Sequence, residues 1–287
     1  MGQEKKYALV TGVSSGIGEA LIKPLVAEGF IVIGTVRKQD DKERLLQNYG
    51  DSIRIIIADV TEIREPFKKE LYEKCDGRLD LLVNNAGLAV PGPMLYLSDE
   101  EFDYQMQVNV MGVRKVTNAA LELLGAGAKR DRPSSIVFIS SISGKMNLPF
   151  NGPYCISKHA LESMVDIYRR ELYPYGIKVA SILPGPIKTK IWGKNIGALA
   201  KYESTPYKDI MRKADKLISD SATNALPTTA VTDVVLKILK SKSPKTRYIV
   251  HKNKTVFKLI TSLVPDKLLD RMIWKNFNKG KSLSPGR

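Results

Sequence analysis

Short apolar runs alternate with longer amphipathic stretches along most of this 287-residue chain. Apolar runs bounded by glycine or polar residues are typical of buried parallel strands, and the stretches between them are typical of the helices that connect such strands. The pattern therefore predicts an α/β fold, with a parallel sheet covered by helices on both faces. The predicted strands lie at residues 7–11, 30–36, 54–58, 79–83, 134–140, 177–183 and 246–250.

Helical spacing of apolar residues predicts helices at residues 17–28, 99–124, 154–173 and 228–240. The segment 186–227 is long and basic and has no clear period. A connection of this length is usually either a functional lid or disordered.

The length and composition limit the classes of protein to which this chain can belong. The length suits one large domain, which we place at residues 1–250, followed by an extension at 251–287. Cys75 and Cys155 are far apart and form no CxxC motif, so we expect no disulfide framework, no metal site and a reducing compartment. No signal segment and no apolar run long enough to span a membrane occurs, so we expect a cytoplasmic protein.

The net charge of +15 is concentrated towards the C-terminus, where residues 251–287 hold nine Lys/Arg and two Asp. Such charge is compatible with a solvated surface, with nucleic acid or with an anionic membrane. Apolar stretches at 256–264 and 268–274 are interleaved with basic residues, as in interfacial amphipathic helices. The same pattern fits helices that fold over a substrate cleft or pack on a neighbouring subunit. We expect residues 279–287 to be frayed.

A glycine cluster follows the first strand, with Gly12, Gly16 and Gly18 in the spacing Gly-x-x-x-Gly-x-Gly. Glycine at a strand-to-helix turn lets backbone N–H groups and the helix N-terminus approach a pyrophosphate. This position between a strand and a helix predicts a dinucleotide site.

The residues after the second strand indicate which dinucleotide binds. An acidic residue near this point would hold a ribose 2′-hydroxyl, whereas arginine accommodates a 2′-phosphate. The sequence here is Val36-Arg37-Lys38. We predict NADP(H), with Arg37 as the phosphate ligand, aided by Ser14 and Lys38; an NAD-linked enzyme is the alternative.

The stretch from Ser141 to Lys158 holds the residues with catalytic potential. Tyr154 and Lys158 are four apart at the start of a predicted helix and therefore share one face. A nearby ammonium favours phenolate, which predicts a lowered tyrosine pKa and a role in proton transfer. Ser141 lies thirteen residues before Tyr154, at the end of the fifth strand.

With these motifs in this order, the chain resembles the short-chain dehydrogenase/reductase family, over about residues 6 to 250. The run from Met146 to Glu162 is similar to the branch that contains 17β-hydroxysteroid and retinol dehydrogenases. The resemblance implies a doubly wound parallel sheet, the Rossmann fold. The matching residues are Thr11-Gly12-x-x-x-Gly16-Ile17-Gly18, Asp59, Asn84-Asn85-Ala86-Gly87, Asn109, Ser141, Tyr154-x-x-x-Lys158 and Pro184-Gly185-Pro186-Ile187-x-Thr189.

The resemblance also implies roles for these residues. Tyr154 would be the general acid/base, Ser141 would orient the substrate oxygen, and Lys158 would hold the nicotinamide ribose. Asn109 would position a water in a proton relay. Asp59 and Val60 would flank the adenine. The residues implied to contact the cofactor are Gly12, Ser14, Ser15, Gly16, Ile17, Gly18, Arg37, Lys38, Asp59, Val60, Asn85, Ala86, Gly87, Tyr154, Lys158, Pro184, Gly185, Ile187 and Thr189.

The implied activity is interconversion of an alcohol and a carbonyl on an apolar, steroid-, retinoid- or lipid-like substrate. Leu148, Pro149 and Phe150 would form an apolar wall beside the tyrosine. By analogy with the family, we expect a homodimer or homotetramer and a substrate lid at 186–227. The rival outside enzymology is a non-catalytic NADP(H)-sensing protein with a tail that binds membrane surfaces; we expect no nucleic acid partner.

Overall fold

The computed structural model describes residues 5–128, 132–190 and 197–277. Within them, seven strands form one parallel sheet in the order β3-β2-β1-β4-β5-β6-β7. The predicted parallel α/β fold is thus confirmed. The strands are β1 (Lys6–Val10), β2 (Phe30–Val36), β3 (Ile53–Ile57), β4 (Leu81–Asn84), β5 (Ser135–Ile139), β6 (Lys178–Pro184) and β7 (Arg247–Val250).

Helices occupy the connections between these strands. The helix predicted at 17–28 is two short helices that meet at Leu21. The helices are α1 (Gly16–Ala20), α2 (Ile22–Ala27), α3 (Gln39–Tyr49), α4 (Glu65–Lys74), α5 (Asp99–Met106), α6 (Val113–Ala120), α7 (Gly152–Glu171), α8 (Lys208–Thr223), α9 (Thr229–Lys240), α10 (Lys254–Leu263) and α11 (Asp266–Phe277).

Alternation along the strands divides the core between the two faces of the sheet. On β1, Leu9 belongs to one apolar cluster, whereas Ala8 and Val10 belong to the other, and all three are fully buried. Successive side chains of a strand point to opposite faces. Both faces are therefore apolar, which explains why the strands read as continuous apolar runs.

The order of the strands fixes where a ligand can bind. β1 lies between β2 and β4, with Val10 beside Gly34 on one side and Val83 on the other. The connections on the two sides of this point run in opposite directions along the sheet. A crevice at the carboxyl ends of strands at such a switch point is the usual ligand site of doubly wound sheets. The glycine cluster follows β1, and Asn85 follows β4.

The segment predicted as one helix at 99–124 differs in detail. A π-helical segment, Gln107–Gly112, separates α5 from α6, and α6 ends at Ala120. Such π segments are frequently found at functional sites. This one contains Asn109.

The segment 186–227 contains α8, although its sequence shows no clear period. Ile210, Met211 and Ala214 of α8 pack with Leu199 and Tyr202 in a third apolar cluster. This spacing of i, i+1 and i+4 is helical, but it is interrupted by charged residues along the segment. Residues 191–196 of the predicted lid lie outside the described residues.

Two helices follow β7, as the C-terminal apolar stretches predict. Ile273 of α11 packs against the third apolar cluster. The predicted frayed end, 279–287, lies outside the described residues. Among the helices that the structure describes, none combines the length and apolar composition needed to cross a membrane.

Candidate active site

The glycine loop after β1 requires glycine for two separate reasons. Gly12 and Gly16 have φ angles of +72° and +64°, in the left-handed region that other residues avoid. At Gly18, a Cβ would lie 2.3 Å from the Gly12 carbonyl oxygen and 2.5 Å from Asn85 Nδ2. The loop is therefore a tight turn that brings backbone to backbone.

Asn85 and Thr11 hold this loop against the end of β4. The Asn85 side-chain amide donates to the carbonyl oxygens of Thr11 (2.9 Å) and Gly12 (3.1 Å). Thr11 Oγ1 accepts from the backbone N–H groups of Asn85 and Ala86, both at 2.9 Å. The Asn85 amide thus braces the loop, and its implied contact with the cofactor stays a prediction.

Arg37 and Asp59 come together at the ends of β2 and β3. Arg37 Nη1 lies 3.9 Å from Asp59 Oδ2, and the Arg37 side chain is 59% exposed. Burial would raise the pKa of Asp59, but hydrogen bonds from Thr61 and the charge of Arg37 outweigh it and hold that pKa below its usual value. Arg37 is therefore an accessible cation at the cofactor edge of the sheet.

Arg44 of α3 is a residue that the sequence motifs do not indicate. Its guanidinium donates to the Ser14 carbonyl oxygen (2.8 Å) and to Glu19 Oε1 (2.6 Å). It therefore holds the glycine loop at Ser14, whereas Asn85 holds it at Thr11 and Gly12. Nothing in the local spacing of Arg44 signals this contact, because α3 is distant from the loop in sequence.

The remaining predicted cofactor residues lie on the same edge of the sheet. A Cβ on Gly16 would contact the Thr189 side chain at 3.2 Å, so the segment after β6 reaches the glycine loop. The two border a cleft of about 640 Å³, also lined by Lys23 and Lys188. The others are Ser15 and Ile17 in and after the loop, Lys38 before α3, Val60 after β3, Pro184 at the end of β6, and Gly185 and Ile187 just beyond it.

Tyr154, Lys158 and Ser141 form the second part of the site. Lys158 Nζ lies 5.6 Å from the centroid of the Tyr154 ring and donates to the Ile139 carbonyl oxygen at 3.0 Å. Ser141 is buried after the end of β5, near enough to Tyr154 to lower that tyrosine's pKa in part. The predicted grouping on one face of α7 is confirmed.

The predicted lowering of the Tyr154 pKa was wrong for the chain by itself. Burial raises the Tyr154 pKa above its ordinary value, and the Ser141 hydrogen bond only partly opposes this. Burial also lowers the pKa of Lys158 to about 8, against the opposing charge of Glu162. Both shifts have one cause, because desolvation disfavours the charged form of either group.

Asn109 lies in the π-helical segment and is buried. Its Oδ1 accepts from the Leu88 N–H (3.0 Å), and its Nδ2 donates to the Leu88 carbonyl oxygen (2.9 Å) and to Ser157 Oγ (3.1 Å). The amide therefore fixes the chain after Gly87 beside α7. Its implied role in holding a relay water stays a prediction.

A buried ionic group lies one turn beyond Lys158 and is absent from the sequence motifs. Glu162 Oε2 accepts from Arg247 Nε (2.6 Å) and from Ser181 Oγ (3.3 Å). Arg247 Nη2 also lies 3.0 Å from Asp166 Oδ2. The i, i+4 spacing places Glu162 on the Lys158 face, but only the fold brings Arg247 of β7 to it.

Aromatic residues surround the predicted apolar wall. The Phe150 ring lies 5.7 Å from that of Tyr207 and 6.5 Å from that of Trp274, and Tyr207 lies 5.9 Å from Tyr96. Phe150 was predicted, but the other three aromatic residues of this group were not. They come from three separate segments, which only the fold assembles.

Comparison with known proteins identifies the family. The family model for short chain dehydrogenases matches residues 6–198. The chain belongs to this family. It is 39% identical over 277 residues to an NADPH-dependent 3-dehydrocapnine reductase of Ornithobacterium rhinotracheale, covering 96% of this chain and 98% of that protein. As a short-chain dehydrogenase, the protein is an oxidoreductase acting on alcohol or carbonyl groups.

Two further relatives of this short-chain dehydrogenase differ in substrate. A 3-ketodihydrosphingosine reductase of Bacteroides thetaiotaomicron is 31% identical over 248 residues, covering 85% of this chain and 87% of that protein. Retinol dehydrogenase 7 of Rattus norvegicus is 31% identical over 298 residues, with coverages of 98% and 92%. The resemblance to the retinol dehydrogenase branch is thereby confirmed.

Proposed function

We propose that this enzyme uses NADPH to reduce a ketone on a long-chain, lipid-like substrate, with Tyr154 as the general acid. The observation that carries the proposal is the grouping of Tyr154, Ser141 and Lys158 at the sheet edge, between the glycine loop and an aromatic wall. Two relatives are named as reductases of a 3-dehydro or 3-keto compound, which supports reduction of a ketone.

The residues present fit a dinucleotide. Gly18 leaves room for no side chain, so the loop is held as a backbone surface of the kind that accepts a pyrophosphate. Arg37 is an accessible cation that would hold a 2′-phosphate, which favours NADPH over NADH. The name of the reductase from Ornithobacterium rhinotracheale supports the same choice.

The chain's own groups supply the proton chemistry. A hydride is what bound NADPH provides. Tyr154 Oη donates its proton to the carbonyl oxygen, while Ser141 Oγ hydrogen-bonds to that oxygen and fixes its position. The raised Tyr154 pKa suits this direction, because the phenol keeps its proton at neutral pH. Burial lowers the pKa of Lys158 to about 8, so this group can gain or lose a proton near neutrality.

Cofactor choice is tested by fluorescence titration with NADPH and, separately, NADH. Arg37→Glu should weaken NADPH binding at least tenfold and change NADH binding little, since only NADPH has the 2′-phosphate. Lys237→Glu, an exposed site on α9, makes the same change in net charge and is the matched control. Preference for NADH by the unaltered enzyme would overturn this assignment and favour the NAD-linked alternative.

Substrate choice is tested by turnover with NADPH on 3-dehydrocapnine, 3-ketodihydrosphingosine, retinal and a steroid ketone. We expect the two 3-oxo lipids to have the highest kcat/KM. Tyr154→Phe should lower kcat by roughly 10²–10⁴-fold while NADPH binding persists. Tyr173→Phe alters a tyrosine that is 81% exposed and should change nothing. Tight NADPH binding without turnover of any ketone would instead support a sensing protein.

A further inference from the structure

The two C-terminal helices expose apolar side chains. On α10, Val256, Leu259 and Leu263 are exposed at positions i, i+3 and i+7, which share one face. On α11, Leu268 and Met272 are exposed at i and i+4. We call these five residues the C-terminal apolar patch. Leu263 alone is 72% exposed, which is costly for a leucine in water.

The opposite faces of the same helices hold them to the body. Phe257 of α10 is buried, with its ring 6.0 Å from that of His251. Ile273 of α11 packs against the third apolar cluster. The exposed faces are therefore presented outward by anchored helices. Only residues 264 and 265 separate the two helices, so the exposed residues of both lie within one short stretch of the chain.

Basic residues accompany the patch. Residues 252–275 contain six Lys/Arg and two Asp. On α11, Arg271 and Lys275 follow Leu268 by three and seven residues and so lie beside Leu268 and Met272. Apolar residues that can enter the acyl boundary, with cations that can reach lipid phosphates, are the pattern of a helix lying in a membrane interface.

The patch lies close to the substrate wall. Trp274 of α11 contacts Phe150, which precedes the catalytic Tyr154 by four residues. Tyr96 joins the same aromatic group through Tyr207, and its neighbour Leu95 is exposed. A surface seated on the patch would therefore border the aromatic wall.

We propose that the C-terminal apolar patch docks this enzyme onto an anionic lipid bilayer, so that a lipid substrate passes from the membrane past Trp274 to Tyr154. The route of the substrate rests on the proposed function, whereas the docking itself does not. A second copy of the chain is disfavoured as the occupant. A twofold contact would bring the same basic residues of both copies face to face.

The test is flotation of the full-length protein with phosphatidylcholine vesicles, with and without phosphatidylglycerol. We expect binding to the anionic vesicles that weakens as ionic strength rises. Leu259→Glu/Leu263→Glu should lower the bound fraction at least tenfold, since it removes two exposed apolar contacts and adds negative charge. Tyr173→Glu/Tyr175→Glu is the matched control, because it makes the same change in charge at two exposed residues after the far end of α7, about 30 Å from its catalytic end.

A second variant separates charge from apolar contact. Lys258→Gln/Arg271→Gln/Lys275→Gln should lower binding to anionic vesicles by roughly 100-fold and leave the weak binding to phosphatidylcholine unchanged. Circular dichroism of the double and the triple variant should show that both are folded.

Three results would overturn the proposal. One is no binding to anionic vesicles by the unaltered protein, and another is equal binding by the Leu259→Glu/Leu263→Glu variant. The third is conversion of an oligomer to a smaller species by that variant in size-exclusion chromatography, without an effect on vesicles. That result would make the patch an interface between copies. Because flotation needs no turnover, its outcome is independent of whether the proposed reaction is correct.

Discussion

Replacing Arg247 by methionine tests the buried ionic group beside the catalytic lysine. Arg247 supplies the 2.6 Å contact to Glu162 Oε2, and the Glu162 side chain is only 4% exposed. Glu162 Oε1 has no hydrogen-bond partner among the residues that the structure describes. Once Arg247 is removed, the carboxylate keeps only Ser181 as a close partner, at 3.3 Å. The variant therefore leaves the buried Glu162 carboxylate without its ion-pair partner.

The magnitude follows from this burial. Removing one partner of a buried ion pair costs about 3–5 kcal/mol. Lys158, one turn earlier on α7, partly compensates the Glu162 charge, so we expect a loss near the lower end, about 3 kcal/mol. For a domain of this size, that corresponds to a fall in Tm of roughly 6–10 °C. The assay is urea unfolding at pH 7, with circular dichroism as the probe of the transition.

Two control variants test whether burial of the ion pair causes the loss of stability. Arg212 contacts Glu203 through two hydrogen bonds, but their side chains are 63% and 45% exposed, so Arg212→Met should cost less than about 1 kcal/mol. Glu162→Gln/Arg247→Met removes both charges and should recover at least half of the loss. A cost below about 1 kcal/mol for Arg247→Met, or additive effects in the double variant, would refute the argument.

Three further predictions concern the site. Gly18→Ala should weaken NADPH binding by roughly 10- to 100-fold in titrations, because its Cβ would meet the Gly12 carbonyl oxygen at 2.3 Å. Reduction needs a protonated Tyr154 and oxidation an ionised one. Because this pKa is raised, kcat for reduction should stay constant through neutral pH, whereas kcat for alcohol oxidation should keep rising with pH through the alkaline range. Glu162→Gln should move the Lys158 pKa below about 8, because the Glu162 charge raises it, so the loss of NADPH affinity with rising pH should begin at lower pH. An unshifted profile would exclude that coupling.

The sequence by itself determined where the strands lie and which residues follow them at the carboxyl edge of the sheet. Strand positions follow from apolar runs, and Gly12 and Gly16 follow from the need for left-handed backbone at a strand-to-helix turn. The pairing of Tyr154 with Lys158 follows from the i, i+4 geometry of one helix. These are local properties, which a few neighbouring residues fix without knowledge of the rest of the chain.

The tertiary structure decided what depends on distant segments. The Tyr154 pKa moved opposite to the prediction, because burial of the phenol outweighs the residues near it in sequence. Arg44 reaches the glycine loop, and Arg247 reaches Glu162, across intervals with no periodic signal. Trp274 meets Phe150 only because α11 packs back on the body. The solvation, charge pairing and exposure of a side chain depend on which segments of the chain are in contact. Only the fold determines those contacts.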